Sequence, residues 1–185
     1  CTVEPIKIIG RNELLFPDKQ IIKWSFAKKG DCPGFDAYWY DGNLKPEVPE
    51  QVGNNKLPRT GSMFIGEKGV LISASDYNAS PVIYQDGKKK KGSEFTVEKL
   101  APKTAGNIHS NFLASASGAA PWDATCSNFM YSGKMTAIIN LGIIAEQVDK
   151  KITFSGDTMK FDDDQANKLI GRTPRKGWEK AYKLA

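Results

Sequence analysis

Residues 126–145 read CSNFMYSGKMTAIINLGIIA, and this stretch decides how the chain folds. It opens with polar residues typical of a turn and continues as a helix that is apolar around most of its circumference, with Gly142 and Ala145 inside it. A helix with so little polar surface has to be covered on more than one side. We therefore predict a core helix over residues 132–148.

The rest of the composition is that of an ordinary folded protein. The chain has 185 residues, of which 40% are hydrophobic and 25% charged, and this is enough for one domain with a real core. Its longest apolar segment, residues 137–145, falls well short of the roughly 18 to 20 residues of a membrane-spanning helix. Residues 1–10 lack the basic start and the apolar run of a signal peptide. We predict a single domain over residues 1–185 with no membrane partner.

The net charge of +5 is mild and is concentrated in a few places. Four consecutive lysines, residues 88–91, follow Asp86 and Gly87, a pair typical of turns. Proteins that bind nucleic acids combine basic with aromatic residues on one element, and this run holds no aromatic residue. We therefore predict that the lysines form a solvated loop tip and that the chain has no nucleic-acid partner.

The cysteines Cys1, Cys32 and Cys126 indicate neither a disulfide framework nor a zinc site. Their number is odd and their spacing is long, whereas both kinds of site need paired or closely spaced cysteines. Cys126 stands where the start of the core helix would activate a thiol, but no histidine lies near it in the sequence. We predict no metal site and no cysteine nucleophile.

The first half of the chain has the pattern of β-strands. Residues 20–27 alternate, with Ile22, Trp24 and Phe26 on one face, as in a half-buried strand. An aromatic strand over residues 35–40 ends at an Asp-Gly turn. The segments that follow are an irregular connection with three prolines (43–59), a hairpin (62–73) and a short strand (82–84).

The second half changes to helices and ends in a hairpin. Apolar residues at helical spacing predict a helix over residues 107–117, ahead of the core helix. A hairpin over residues 152–161 and a short helix over residues 163–170 follow. Strands, then two helices, then a hairpin predict an α+β fold with a mainly antiparallel, open β-sheet and two main helices packed on one face.

Few residues match a known catalytic pattern. His109 is the single histidine, so a Ser-His-Asp or Cys-His site would need it, but capping or packing explains its place at a helix start more simply. The sequence has neither the nucleophile elbow of hydrolases nor a glycine-rich dinucleotide loop. Trp39 and Tyr40, beside the proline-containing connection, are best suited to face a ligand such as a sugar ring. The same aromatic residues also fit packing within the sheet.

Six segments, taken in order along the chain, resemble the C-terminal domain of the bacterial branch of the Gfo/Idh/MocA oxidoreductases, a family that includes glucose-fructose oxidoreductase and inositol dehydrogenase. They are WYDGNLKP (39–46), FIGEKGVL (64–71), CSNFMYSG (126–133), LGIIA (141–145), GDTMKF (156–161) and RKGW (175–178). Each segment is short, and the resemblance rests on their occurrence in the family's order over most of the chain.

The resemblance implies an enzyme of two domains. A Rossmann domain binds NAD or NADP, and a second domain with an open antiparallel sheet helps to enclose a sugar or polyol substrate and mediates oligomerisation. This chain resembles the later part of that second domain. We therefore expect it to be inactive alone and to hold no cofactor, with NAD or NADP bound by the full-length parent. The family's Glu-Lys-Pro motif and its Asp and His pair have no counterpart here, so no catalytic or cofactor-binding residue is assigned.

The residues expected near a substrate are Trp39, Tyr40, Lys45 and His109. An uncovered apolar sheet face is a liability for a monomer, so we also expect a homodimer or a higher homo-oligomer. Members of the bacterial branch are cytoplasmic or exported. A second hypothesis is a stand-alone carbohydrate-binding or assembly module of the same fold, and a third is a hydrolase built on His109.

Overall fold

The computed structural model describes residues 1–12, 15–85, 88–94, 107–125 and 127–180. The chain divides into two compact units, which we call the first unit (Cys1–Leu44 and Thr104–Ala185) and the second unit (Lys45–Lys103). The prediction of one domain over residues 1–185 stays a prediction, because compact units of this kind also occur within a single domain.

The described elements follow the predicted order of strands, helices and a final hairpin. The strands are β1 (Thr2–Ile9), β2 (Lys19–Phe26), β3 (Phe35–Asp41), β4 (Gly61–Gly66), β5 (Gly69–Ala74), β6 (Ala79–Gln85), β7 (Lys88–Lys91), β8 (Ile152–Ser155) and β9 (Lys160–Phe161). The helices are α1 (Ile108–Ala116), α2 (Phe129–Val148) and α3 (Asp164–Leu169).

The first unit is built on a five-stranded sheet in the order β3-β2-β1-β8-β9, with antiparallel neighbours throughout. Side chains alternate between the two faces of a strand, and Val3, Ile22 and Trp24 lie on the face that α2 covers. They pack there with Leu141 and Ala145 of that helix. The alternation predicted for residues 20–27 is confirmed, because Ile22 and Trp24 are buried and their neighbours in sequence are not.

The second half of α2 is buried and its first half is exposed. The helix begins at Phe129, three residues before the predicted start, where the Asn128 side chain accepts a hydrogen bond from the N–H of Tyr131 at 3.2 Å. Leu141 and Ala145 are buried, whereas Phe129 is 93% exposed. The prediction that the helix is covered on more than one side is therefore wrong for its first half, because all the buried residues of the helix lie between Leu141 and Glu146.

The end of α2 is held by a charged residue of the first unit. Arg11, which follows β1, donates from Nη1 to the carbonyl oxygen of Glu146 at 2.7 Å and lies 3.7 Å from the Asp149 carboxylate. The last carbonyls of a helix have no partner within the helix, and a cation near that end also interacts favourably with the helix dipole. Asp149 then ends the helix in the left-handed conformation, with φ of 53°.

The second unit is a four-stranded antiparallel sheet in the order β4-β5-β6-β7. Its core consists of Val52, Val70, Ile72 and Tyr84, and the predicted hairpin over residues 62–73 is confirmed as β4 and β5. The prediction of a loop tip at the four lysines is wrong, because Lys88–Lys91 forms the edge strand β7 against β6. An edge strand accepts four lysines because all four side chains stay in solvent.

The fold class is the predicted one, an α+β fold with antiparallel sheets. The strands form two sheets. Of the two main helices, α2 is the one that packs against the five-stranded sheet. The apolar residues Ile108, Phe112 and Leu113 of α1 are exposed. Within the described residues, no helix combines the length and the hydropathy needed to cross a bilayer.

Candidate functional site

The sheet of the first unit has a second face, opposite the one covered by α2. Alternation along β2 and β3 places five polar or aromatic side chains on it, and the strand register sets Lys23 opposite Tyr38 and Ser25 opposite Asp36. We call these side chains the open-face cluster: Lys23, Ser25, Asp36, Tyr38 and Tyr40. Because β2 and β3 are joined by a full ladder of pairs, the cluster stands on rigid backbone rather than on loops.

The members of the open-face cluster contact one another directly. Lys23 Nζ lies 2.9 Å from Asp36 Oδ2, and the Ser25 hydroxyl donates to Asp36 Oδ1 at 2.7 Å. Lys23 Nζ also lies 5.6 Å from the centroid of the Tyr38 ring, within cation–π range. The rings of Tyr38 and Tyr40 are 6.2 Å apart and tilted by 31°. The result is a pair of neighbouring aromatic rings beside a fixed ion pair.

The electrostatics of the cluster suit binding better than proton transfer. The Ser25 hydroxyl, and after it the Lys23 ammonium, hold the pKa of the Asp36 carboxyl below its usual value. The hydrogen bond to Asp36 raises the pKa of Lys23. A general acid or base works best with a pKa near the working pH, and both shifts lead away from neutrality. Both groups are thus charged at pH 7 and offer fixed hydrogen-bonding positions.

An arrangement of this kind can hold a small polyhydroxylated molecule. A tyrosine ring offers an apolar face on which the C–H face of a sugar ring can lie, with a hydroxyl at its tip. A few fixed polar groups beside such a surface set the orientation of the ligand. In the cluster the Asp36 carboxylate accepts and the Lys23 ammonium donates hydrogen bonds, which matches the mixed donor and acceptor character of sugar hydroxyls.

Two of the four residues predicted to lie near a substrate, Trp39 and Tyr40, are neighbours on β3 and therefore lie on opposite faces of the sheet. Tyr40 belongs to the open-face cluster. Trp39 pairs with Ile22 on the other face and is 58% exposed. The structure does not bring these two side chains together, and a role in substrate binding stays a prediction for each of them.

The other two predicted residues lie elsewhere in the chain. Lys45 belongs to the second unit, where its ammonium donates to the carbonyl oxygen of Pro58 at 2.9 Å and so joins the two ends of the proline-containing connection. His109 is exposed in the first turn of α1, and its backbone N–H donates to the Asn107 side chain at 3.0 Å. Asn107 therefore caps α1. A substrate role for Lys45 or His109 stays a prediction.

Sequence reasoning missed Lys23 and Asp36 as members of a site. The available signal was the polar face of β2, which alternates with the buried residues Ile22 and Trp24. The register between β2 and β3 decides which residue of β3 lies opposite Lys23. The sequence of either strand alone does not determine that register.

Glu146 is a charged residue whose burial the sequence pattern did not predict. It is 4% exposed, its Oε1 accepts no hydrogen bond from the described residues, and Arg11 Nε is 4.0 Å away. Burial raises the pKa of the Glu146 carboxyl, and the Arg11 guanidinium opposes the shift only in part. A carboxyl directly after an apolar run was the signal available in the sequence.

Glu146→Gln is expected to raise the free energy of unfolding at pH 7. The pKa of Glu146 in the folded protein lies above its unfolded value of about 4.3. The wild-type protein therefore becomes less stable as pH rises from about 4.3 through the folded pKa. The glutamine side chain of the variant is neutral at every pH, so the free energies of unfolding of the variant and the wild type should converge below about pH 4. Urea denaturation over a range of pH measures the difference.

Asp149→Asn is the matched control, because Asp149 lies at the same helix end but is exposed, and asparagine tolerates its left-handed conformation. Little change is expected there. Equal shifts in the two variants, or a less stable Glu146→Gln at pH 7, would contradict the account of Glu146 as a buried charge.

The described residues offer no group of three or more His, Cys, Asp and Glu side chains that could hold a metal ion. Cys1 and Cys32 are free thiols. Cys126, considered above as a nucleophile, lies outside the described residues.

Comparison of the chain with models of known protein families, with curated proteins and with solved structures gave no match, so none of the three supports a family assignment. The resemblance to the Gfo/Idh/MocA oxidoreductases rests on the six sequence segments alone.

Proposed function

We propose that this chain forms the substrate-side and oligomerisation part of an NAD(P)-dependent sugar or polyol oxidoreductase, and that it is not catalytic alone. The observation that carries the proposal is the open-face cluster, where Tyr38 and Tyr40 stand side by side next to the ion pair of Lys23 and Asp36. Such a surface binds and orients a polyhydroxylated molecule without supplying a proton-transfer group near neutrality.

The architecture of the first unit supports the same proposal. The six segments that resemble the oxidoreductase family imply an open antiparallel sheet, and the order of the predicted elements implies helices on one face of it. The five-stranded sheet, with α2 on one face and the open-face cluster on the other, has this arrangement.

The exposed apolar surface of the helices supports the oligomerisation part of the proposal. Phe112 and Leu113 of α1 and Phe129, Met130 and Met135 of α2 are all exposed. A monomeric soluble protein rarely exposes so many large apolar side chains on neighbouring segments, and such surfaces commonly mark interaction sites.

The described residues do not fit a dinucleotide. A Rossmann site needs a glycine-rich loop between a strand and a helix, and the closely spaced glycines Gly66 and Gly69 instead flank the two-residue turn between β4 and β5. The nicotinamide cofactor supplies the hydride chemistry in such enzymes, and we assign it to another part of the parent protein.

Titration of the full chain with neutral sugars and polyols tests the proposal. We expect ligand-dependent shifts at the amide signals of Tyr38 and Tyr40, and Tyr38→Ala should weaken binding by about three- to tenfold, the value of one aromatic contact. Tyr77→Ala is the matched control, because Tyr77 is an exposed tyrosine of the second unit. Loss of binding in Trp39→Ala but not in Tyr38→Ala would place the sugar on the opposite face.

The same preparation is expected not to oxidise NADH or NADPH with any of these sugars, and turnover by the purified chain would contradict the proposal. The open-face cluster equally favours the second candidate function, a stand-alone carbohydrate-binding module. The reading frame before Cys1 separates the two, since an encoded glycine-rich strand-turn-helix segment there indicates an oxidoreductase.

A further inference from the structure

The two edges of the sheet in the second unit differ in chemistry. At one edge, β7 consists of four exposed lysines, and lysines on an edge strand discourage the addition of another strand. At the other edge, β4 reads GSMFIG and contains neither a charge nor a proline. Phe64 and Ile65 of β4 are each 64% exposed. One edge is thus protected against strand addition, and the other is chemically suited to it.

The backbone of β4 directs hydrogen-bonding groups towards this second edge. The carbonyl oxygen of Thr60 accepts from the N–H of Ser75 at 3.0 Å, just before the pairs that run from Gly61 with Ala74 to Gly66 with Gly69. In an antiparallel ladder, hydrogen-bonded pairs alternate with pairs that are not. The even-numbered residues therefore face β5, and Gly61, Met63 and Ile65 direct their N–H and C=O groups away from it.

We propose that β4 pairs antiparallel with β4 of a second copy of this chain, which joins the two sheets into one. A register centred on Met63 sets the outward-facing groups against one another, since Met63 then lies opposite Met63 and Gly61 opposite Ile65 on both sides. This pairing is isologous, the type of contact found in two-fold symmetric dimers.

Charge complementarity selects a second copy as the occupant of this edge. In the register centred on Met63, the bend that holds Arg59, just before β4, comes next to the turn that holds Glu67 of the other copy, and the two-fold axis repeats this approach of opposite charges. If the register is displaced by two residues, Arg59 of one copy no longer lies near Glu67 of the other in either of the two symmetric positions. Gly61 also leaves room for the larger Ile65 side chain opposite it. The inference deepens the assembly role proposed above and rests on that role, not on the sugar or the cofactor.

Analytical ultracentrifugation of the full chain tests the proposal. The wild type should form dimers, and Ile65→Lys should raise the dimer dissociation constant by at least about tenfold, because it places a charge on the open edge. Lys90→Ala on β7 is the matched control and should leave the dissociation constant unchanged. Circular dichroism and the amide signals of Val70 and Ile72 verify that each variant is folded.

The register is tested by crosslinking and by charge exchange. In a chain whose native cysteines are replaced by serine, Met63→Cys should be joined to the same residue of the other copy by a short thiol-reactive crosslinker, since Cα atoms of a hydrogen-bonded antiparallel pair lie about 5.5 Å apart. Arg59→Glu and Glu67→Arg should each weaken the dimer, and the double variant should restore it.

A monomeric wild type, or a dimer that Ile65→Lys leaves intact and Met63→Cys does not crosslink, would overturn the proposal. The sugar titration is separate from both measurements. A dimer through β4 without sugar binding leaves this inference standing and removes the substrate-binding part of the proposed function, and sugar binding by a chain that lacks the β4 contact does the reverse.

Discussion

Replacing Trp24 by alanine is expected to lower the free energy of unfolding of the first unit by about 3 to 5 kcal/mol, the usual cost of deleting a buried aromatic ring. Trp24 packs between the sheet and α2 in the cluster that contains Val3 and Ala145. Its indole N–H also donates to the carbonyl oxygen of Ile138 at 3.0 Å. The variant loses both contributions, and urea denaturation followed by circular dichroism measures the change.

Gly142 explains why the tryptophan ring fits so closely against the helix. A Cβ atom at position 142 would overlap Cζ2 of Trp24 and would lie 3.0 Å from Cη2. Gly142→Ala should therefore destabilise the wild type by about 1 to 3 kcal/mol, as overpacking does in a rigid core. In the Trp24→Ala background the sign should reverse, because the methyl group enters the space left by the ring and alanine favours a helix over glycine by about 1 kcal/mol.

Gly133→Ala is the control for this reversal. Gly133 lies in the same helix, and no heavy atom of the described residues would come within 4 Å of a Cβ placed there. Alanine at position 133 should stabilise the wild type by up to about 1 kcal/mol through helix propensity alone. Equal effects at positions 133 and 142, or a Gly142→Ala cost that persists without the Trp24 ring, would contradict the packing account.

The elements that were predicted correctly are those with local signals. The alternation in β2, the aromatic run of β3 and the Gly-Glu-Lys-Gly turn between β4 and β5 are each contained within a few residues. The strand β1 was missed, because its register shifts between Pro5 and Lys7 and its alternation breaks there. A bulge of this kind removes the period of two on which strand prediction depends.

The candidate site was predicted less well than the fold, because it depends on pairing between strands. Tyr40 was named from its aromatic neighbourhood, but Lys23 and Asp36 become neighbours only through the register of β2 with β3. The exposure of the first half of α2 was missed for a related reason. Periodicity shows how apolar a helix is, and the length of sheet beneath it decides how much of that surface is buried.

Val70→Asp is expected to unfold the second unit. Val70 is fully buried in a core that otherwise consists of Val52, Ile72 and Tyr84. An unpaired carboxylate buried at such a site costs more than about 4 kcal/mol, and a unit of this size has only a few kcal/mol of stability to lose. In a ¹⁵N-labelled chain, the dispersed amide signals of β4 to β7 should collapse towards random-coil positions.

Tyr77→Asp separates the effect of burial from the effect of the new charge. Tyr77 belongs to the same unit and is 92% exposed, so the same aspartate there meets water rather than the core. Its spectrum should keep the dispersed signals of Ile72 and Tyr84. Because a protonated carboxyl is less costly to bury than a carboxylate, Val70→Asp should also recover part of its structure as pH falls from 7 towards about 4. Retention of those signals by Val70→Asp at pH 7 would show that this small core is not what holds the four strands together.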